Sequence, residues 1–285
     1  MNVDNELKSL EIQKKLVNYQ GEDRVIHAAE LLKELQADGK TTRDYSTGLS
    51  LLDDMVGGGF RRGQLVIISA STGQGKTSFA QTLTKNFVER GEKCFFLSFE
   101  VGFQDFAEKM PQGFLDFWTP RQMRQNSLLW AKNRILESVA KHNTKIVFID
   151  HLHFLLELQK MAEAKSLSLL IGMMLRDLKT LAIEHDILIF LITHMKKIDS
   201  HERPELEDLR DSSFVAQESD YVLMLLRETE KFDGEIQEKD TTRLYIKKNR
   251  RNGKMGIIRL QHYNNEFIEA DDQKIIDKEK TKNKW

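Results

Sequence analysis

Gln64-Leu-Val-Ile-Ile-Ser-Ala-Ser-Thr-Gly-Gln-Gly-Lys-Thr77, continuing into Ser78-Phe79-Ala80, is the stretch from which the fold is read. Leu65 to Ser69 is an unbroken apolar run with two Ile and a Val, the pattern of a strand buried on both faces of a parallel sheet. It leads into Ala70-x-x-x-x-Gly75-Lys76-Thr77 and then into a helical pattern from Ser78 to about Val88. Strand, glycine-bearing loop, Lys-Thr and helix form the setting in which this spacing binds phosphate. Gly73 and Gly75 let the backbone turn tightly, so that the N–H groups of Ser71, Thr72, Gly73, Gln74, Gly75, Lys76, Thr77 and Ser78 can surround an anion. Lys76 is placed to reach β- and γ-phosphate oxygens, Thr77 to offer its hydroxyl to Mg²⁺, and the helix N-terminus adds partial positive charge. The first position is Ala70, where the generic pattern has Gly. An ordinary strand–turn–helix with a chance Gly-Lys-Thr is the alternative, and the flanking strand and helix argue against it. A nucleoside triphosphate is the ligand implied.

The 285 residues, 40% hydrophobic, suffice for one sizeable α/β domain with short extensions. The lone Cys94 excludes an intrachain disulfide and fits a reducing, cytoplasmic compartment. The polar start Met1-Asn-Val-Asp-Asn-Glu has no signal-peptide core, and no apolar run approaches a membrane span. With a net charge of −1, any nucleic-acid contact must come from local basic clusters.

Residues 1–22 are polar, and Asp23 to Gln36 reads as an amphipathic helix with Val25, Ile26, Leu31, Leu32 and Leu35 on one stripe. That helix either packs on its own domain or links to a neighbouring subunit. Thr47 to Met55 reads as a short helix closing in Gly57-Gly-Gly-Phe60. Lys93 to Phe99 is a second buried strand ending in Glu100, a carboxylate beside the phosphate loop that can polarise a water. Residues 101–143 read as helical, with Thr119-Pro120 as N-cap and N1, and Leu128, Leu129, Ile135, Leu136 and Val139 facing inward. Phe103, Phe106, Phe114, Phe117 and Trp118 form an aromatic patch, better explained as core or subunit contact than as base stacking. Lys145 to Asp150 is a third strand ending in a carboxylate suited to holding Mg²⁺ opposite Thr77. His151 and His153 invite a metal site, discounted here for want of a second cluster. Lys165 to Asp186 is a long helix whose Leu169, Met173, Met174, Leu178 and Leu181 are expected in the core. A fourth strand, Ile187 to Thr193, ends in His194, where a side chain can touch the γ-phosphate. Tyr221 to Leu226 is a fifth strand, and the acidic stretch Glu228 to Asp240 reads as a turn or disordered excursion. Thr241 to Leu260 reads as a hairpin around Asn252-Gly253 carrying Arg243, Lys247, Lys248, Arg250, Arg251 and Lys254, either a charged edge or a phosphate-directed group. The tail from Asp271 mixes Lys with Asp and is expected to be disordered.

Together these stations resemble the RecA-like motor domain of DnaB-family replicative helicases and the related phage and Twinkle-type ring helicases, over roughly residues 44–268. The resemblance rests on Ser46-Thr-Gly-Leu-Ser-Leu-Leu-Asp53, the Ala-led phosphate loop, Leu97-Ser-Phe-Glu100 and Ile149-Asp150-His151. Its more specific parts are the run from Arg203-Pro-Glu-Leu through Asp-Leu-Arg to Gln217-x-x-Asp220, and Lys248-Asn-Arg250. It implies an α/β RecA-like P-loop NTPase with a mostly parallel central sheet flanked by helices and a C-terminal β-hairpin extension. In domains it implies an N-terminal extension and linker helix over 1–40, the ATPase/helicase domain over 41–270 and a charged tail over 271–285. By resemblance ATP and Mg²⁺ are the cofactors. Lys76 and Thr77 bind phosphate and metal, Asp150 supports the metal, Glu100 activates water and His194 is the γ-phosphate sensor. Lys248 and Arg250 would reach the nucleotide site of the next subunit, with Arg251 an alternative finger. Lys196 and Lys197, with Arg203, would face single-stranded DNA. The implied partners are DNA, further copies in a hexameric ring, and a primase or loader. Primase and DnaB-type N-terminal domains are not expected within these residues, and the Glu100–Asp150 segment is shorter than in typical DnaB proteins.

Three functions compete at this stage: a ring-forming DNA translocase or helicase, a RecA/RadA/KaiC-like ATPase that remodels a partner without unwinding, and a non-catalytic loader or decoy subunit. The Asp-Leu-Arg run and the Lys-x-Arg hairpin favour the first. Intact Lys76, Glu100 and Asp150 argue against the third.

Overall fold

The computed structural model describes residues 13–21, 24–37, 44–123, 127–151, 155, 167–198, 202–209, 212–232 and 235–270. The chain divides into two compact units, Met1–Thr42 and Arg43–Trp285. The first carries a helical turn over 13–17 and helix α1, Ala28–Ala37. The expected helix therefore begins later than Asp23: Val25 precedes it and is fully exposed, and Leu31 and Leu32 also face solvent.

In the second unit, five apolar strands lie side by side in parallel. They are β1 (Leu65–Ala70), β2 (Cys94–Ser98), β3 (Ile146–Asp150), β4 (Leu188–His194) and β5 (Tyr221–Phe232), in the order β2-β3-β4-β1-β5. Strands β1 to β4 and the Tyr221–Leu226 part of β5 are buried on both faces, which is why the sequence shows continuous rather than alternating apolar runs there. Three further strands, β6 (Glu235–Asn249), β7 (Gly256–Tyr263) and β8 (Glu266–Glu269), extend the sheet antiparallel from β5. The chain is thus α/β with a single eight-stranded sheet.

Helices α2 (Ser50–Val56) and α3 (Lys76–Glu89) cover one face, and α5 (Leu128–His142) and α6 (Leu167–Glu184) the other. Short helices α4 (Phe103–Glu108) and α7 (Ser212–Glu218) are also present. Across β2, β3 and β4 the in-register residues Phe96, Phe148 and Phe190 stack almost parallel, with centroids 5.5 and 4.7 Å apart. Phe87 of α3 lies over Phe148 and Phe190, and Phe60 meets Phe190 edge-on at 5.3 Å. Phe60 is brought there by the glycine turn, where a Cβ on Gly59 would sit 2.4 Å from the Tyr45 carbonyl oxygen.

Several expectations are corrected. Residues 101–143 are not one helical run, and Thr119-Pro120 caps nothing. Trp118 instead pairs with the outer edge of β2, donating its N–H to Cys94 and accepting from Phe96, which shields that edge. Helix α5 starts at Leu128, capped by the Ser127 hydroxyl accepting from Trp130 N–H. Leu129, Leu169 and Met173 face solvent, while Met174, Leu178 and Leu181 form the buried stripe. The acidic stretch from Glu228 is paired strand: β5 and β6 run on together to Phe232 and Glu235. Glu228 is held there by Thr241 and Arg243 at 2.6 and 2.7 Å and by Arg259 at 3.0 Å, so charges that suggest a loop are neutralised across strands. Strand β8 pairs with Leu260–Tyr263 of β7, so the hairpin's outer strand is covered away from the basic turn, while Gly256–Ile258 beside the turn pair only with β6 among the described residues.

The aromatic row should govern stability. Phe148→Ala is expected to cost about 3–5 kcal/mol in urea unfolding, whereas Phe103→Ala, 54% exposed, should stay within about 0.5 kcal/mol. Equal costs would show that the row does not anchor the core.

Candidate functional site

Parallel registry sets Ser98 beside Asp150 and Ala70 beside His194, so the C-terminal tips of β1 to β4 lie along one rim. Such a rim is where open α/β sheets bind ligands. Ser71 to Gly75 turn tightly above β1, and α3 starts at Lys76 behind Gly75, whose φ is +88°. A Cβ on Gly75 would also lie 2.9 Å from the Phe267 ring of β8, so both backbone and neighbour require glycine. A cleft of ≈ 250 Å³ opens at this point, lined by Thr72 to Ser78 except Gln74, and by Gln81, Glu100, Val101, Phe106 and Lys109.

Within it, Lys76 is buried, and its Nζ donates to the Ser71 carbonyl at 3.2 Å. Burial lowers its pKa, opposed by the carboxylates of Glu100 and Asp150. Thr77 donates its hydroxyl to Asp150 Oδ2 at 2.8 Å. Asp150 is completely buried, and its other oxygen, Oδ1, has no hydrogen-bond partner among the described residues. Burial pushes the Asp150 carboxyl up to about 6, with Glu100 adding to the rise and Thr77 and Lys76 opposing it. A buried carboxylate with one unused oxygen beside a threonine hydroxyl suits a hard, oxygen-seeking divalent cation such as Mg²⁺.

Glu100 stands at the cleft mouth, 38% exposed, with Oε2 3.6 Å from His151 Nδ1. His151 Nδ1 is in turn 3.0 Å from His194 Nε2. One ligand atom from each of Glu100, His151 and His194 lies within 4.8 Å of the others. The metal reading of His151 was discounted for lack of partners, yet partners converge on it from the ends of two other strands; His153 lies outside the described residues. Lys109 at the cleft wall had no sequence signal, and Gln74 turns away to accept from the Arg227 N–H at 2.6 Å.

Lys196 and Lys197 follow the β4 tip and are exposed. Ser71 Oγ donates to the Lys196 carbonyl at 3.0 Å, tying that loop to the phosphate loop. Arg203 is exposed and lines a separate shallow groove with Lys247 and Met255.

The basic hairpin lies at the other end of the sheet. Asn249 pairs with Tyr221, which pairs with Val66, so Arg250 sits at the start of β1. At ~3.3 Å per residue this is roughly 17 Å from the β1 tip, beyond an arginine's reach of its own phosphate loop. Its neighbours are committed internally. Lys248 caps the end of α7, donating to the carbonyls of Ala216 and Ser219. Arg251 grips Asp44 through both terminal nitrogens at 3.0 and 3.1 Å. Burial alone would raise the Asp44 carboxyl, but hydrogen bonds from Arg61 and Arg251 outweigh it and hold it low. Lys247 pairs with Glu205 and Arg243 with Glu228. The hairpin is therefore no uniform phosphate-directed patch. Arg250 keeps 64% of its side chain in solvent, with only a 3.7 Å approach to Asp220.

Two expectations follow. Arg251→Ala should destabilise the fold by about 1–3 kcal/mol in urea unfolding, and Arg250→Ala should leave stability unchanged; the reverse order would exchange their roles. For Asp150, burial raises the pKa, and only the ionised form holds a cation. Mg²⁺-dependent nucleotide affinity should hold above about pH 6 and fall by up to about tenfold per unit below it. The Asp150→Asn variant supplies the baseline, since its profile carries only the titration of the nucleotide, and coincident profiles would remove Asp150 from the cation site.

Residues 119–270 match the DnaB-like helicase C-terminal domain, and residues 45–119 match the KaiC ATPase family. A probable replicative DNA helicase of Trieres chinensis is 25% identical over 254 residues, covering 76% of this chain and 54% of that protein. The replicative DNA helicase DnaC of Bacillus subtilis is 24% identical, covering 75% of this chain and 53% of that protein. The chain thus spans about half the length of these relatives. A solved DnaB-like replicative helicase, described with its interactions with primase, superposes with a TM-score of 0.69 at 20% identity, covering 92% of this chain and 71% of that one. A second solved structure, an isolated ATPase domain, superposes at 0.67 and 20% identity, covering 85% of this chain and 97% of that domain. With more than half of its 285 residues matched by that one family, the chain belongs to the DnaB-like helicase C-terminal domain family.

Proposed function

We propose that this chain is the ATP-hydrolysing motor of a ring-forming DNA helicase or translocase, moving on single-stranded DNA and hydrolysing ATP between subunits. The observation that carries the reading is the convergence of Lys76, Thr77, Glu100, Asp150 and His194 on neighbouring strand tips. Lys76 places a buried cation against the phosphates, where its charge is felt more strongly than in water. Thr77 and Asp150 hold Mg²⁺, which when bound offsets charge on the phosphates. Glu100 reaches the cleft yet stays open to solvent, so it can orient a water and accept its proton. His194 takes the γ-phosphate sensor position.

Phosphoryl transfer calls for a further cation on the developing charge, commonly supplied by a neighbouring subunit. Arg250 is exposed and too distant to serve its own site, which supports action in trans within a ring, with six subunits proposed. Lys196 and Lys197, with Arg203, take the DNA phosphates; the bond from Ser71 to the Lys196 carbonyl gives nucleotide and DNA loops a shared backbone contact. A primase or loader is a proposed partner, by analogy with the solved helicase described with primase.

The KaiC match over 45–119 favours a second reading, an ATPase that remodels a partner without unwinding. Of the site, that segment holds the phosphate loop and Glu100, and it contains neither the Asp-Leu-Arg run nor the Lys-x-Arg hairpin. Opening of a forked DNA by the wild-type chain with ATP, and not without it, separates the two.

Glu100→Gln should bind ATP and hydrolyse it ~10²–10⁴-fold more slowly. Arg250→Ala should bind ATP and hydrolyse it poorly, and mixing the two variants should restore part of the rate by recreating interfaces with intact Glu100 and intact Arg250. Absence of rescue from subunits shown to co-assemble would remove Arg250 from the partner's site.

A further inference from the structure

His151 follows the buried Asp150 and has φ of +83°, a left-handed backbone that a non-glycine residue adopts at a cost of order 1–3 kcal/mol. That conformation turns the chain at the β3 tip and sets the imidazole between the tips of β2 and β4. Its Nδ1 lies 3.0 Å from His194 Nε2 and 3.6 Å from Glu100 Oε2. The first distance is a hydrogen bond and the second falls just outside one. A ring nitrogen offers either one N–H or one lone pair, so Nδ1 serves His194 or Glu100 but not both.

We propose that His151 is a positioning residue that makes the orientation of Glu100 conditional on a bound γ-phosphate. The inference rests on the reading above, in which His194 meets that phosphate and Glu100 handles water. At 3.0 Å, one proton is shared between His151 Nδ1 and His194 Nε2. An anionic γ-phosphate oxygen is the better acceptor for an N–H at His194 Nε2 and draws it away. His151 Nδ1 is then released to donate to Glu100 Oε2, a move of a few tenths of an ångström. One ring shifts its proton between its own two nitrogens through solvent, so the exchange needs no net gain or loss of a proton. With a diphosphate, His194 returns to His151, and Glu100 loses its orienting donor. The chain is thereby spared a fixed, hydrolysis-ready carboxylate when there is nothing to hydrolyse.

The test compares His151→Ala, His151→Asn and the wild-type chain. His151→Ala should lower kcat by about 10²-fold, the scale of misplacing a catalytic group by about 1 Å, with KM for ATP unchanged. His151→Asn should recover most of the rate, because its amide nitrogen occupies the place of Nδ1 and Asn tolerates a left-handed backbone. In wild-type protein the imidazole ¹⁵N signals should show the His151–His194 pair with Mg²⁺ and ADP, and its loss with Mg²⁺ and a non-hydrolysable ATP analogue. The proposal is overturned by an unchanged kcat in His151→Ala, by an effect on KM alone, by His151→Asn behaving no better than His151→Ala, or by identical ring signals with both nucleotides. If His151→Ala does not fold, the Asn variant and the spectra still decide. Loss of ATPase activity in the wild type would refute the motor reading instead, while the ring signals report the exchange without any turnover.

Discussion

A carboxylate with no solvent contact is the constraint on which the rest of this molecule turns. Asp150 ends a strand whose other residues are apolar and buried, and burial alone would favour its neutral form. Among the described residues the Thr77 hydroxyl and the nearby Lys76 offset that cost, and both come from the first turn of α3. The strands beneath must therefore hold β1 and β3 at fixed height, with β4 between them. The stacked Phe96, Phe148 and Phe190 do this by locking three neighbouring strands in register below the rim. Packing there is the means by which the tips share a level.

The two ends of the sheet have opposite electrostatic characters. At the rim, charges are left incompletely paired: among the described residues Asp150 Oδ1 lacks a partner, and Lys76 donates to a carbonyl rather than a carboxylate. At the base, charges are consumed. Asp220 accepts from Leu65 N–H at 2.8 Å and from Lys179 Nζ at 2.5 Å, while Lys248 and Arg251 fasten α7 and the glycine turn. A base so thoroughly cross-linked gives Arg250 a rigid platform from which to project. Rigidity there would suit the role proposed for Arg250, because a side chain acting on another subunit must hold its position with no local ligand to guide it.

What the sequence revealed followed its physics. Strands β1 to β4 were legible because parallel strands buried on both faces must be continuous apolar runs, and β3 and β4 end in Asp150 and His194, residues able to do chemistry. The β5–β6 ribbon was not, because Glu228 looks like a loop residue until Arg243 and Arg259 arrive from other strands. Thr119-Pro120 misled because the signal for a helix start is also acceptable beside a bridged edge segment. Of the site, the loop and two carboxylates could be read directly. The partners of His151 could not, since Glu100 and His194 lie at the ends of strands separated from it by dozens of residues, and spacing carries no record of such meetings. The Lys248-Asn-Arg250 spacing favoured Arg250 with Arg251 as the alternative, and the grip of Arg251 on Asp44 now separates them.

Strand β8 lies far along the chain yet rests on the phosphate loop. Phe267 packs against Gly75 and Phe79, its N–H donates to Thr82 Oγ1 at 3.0 Å, and Glu266 meets Lys85 at 2.9 Å. As the chain leaves the ribosome, the loop and α3 emerge nearly two hundred residues before their brace. Throughout that interval the nucleotide cradle lacks the wall that fixes Gly75 and the first turns of α3, so the cradle is completed only when synthesis has passed β8. The order of the sequence thus delays a finished nucleotide pocket until the arginine-bearing hairpin has also been made.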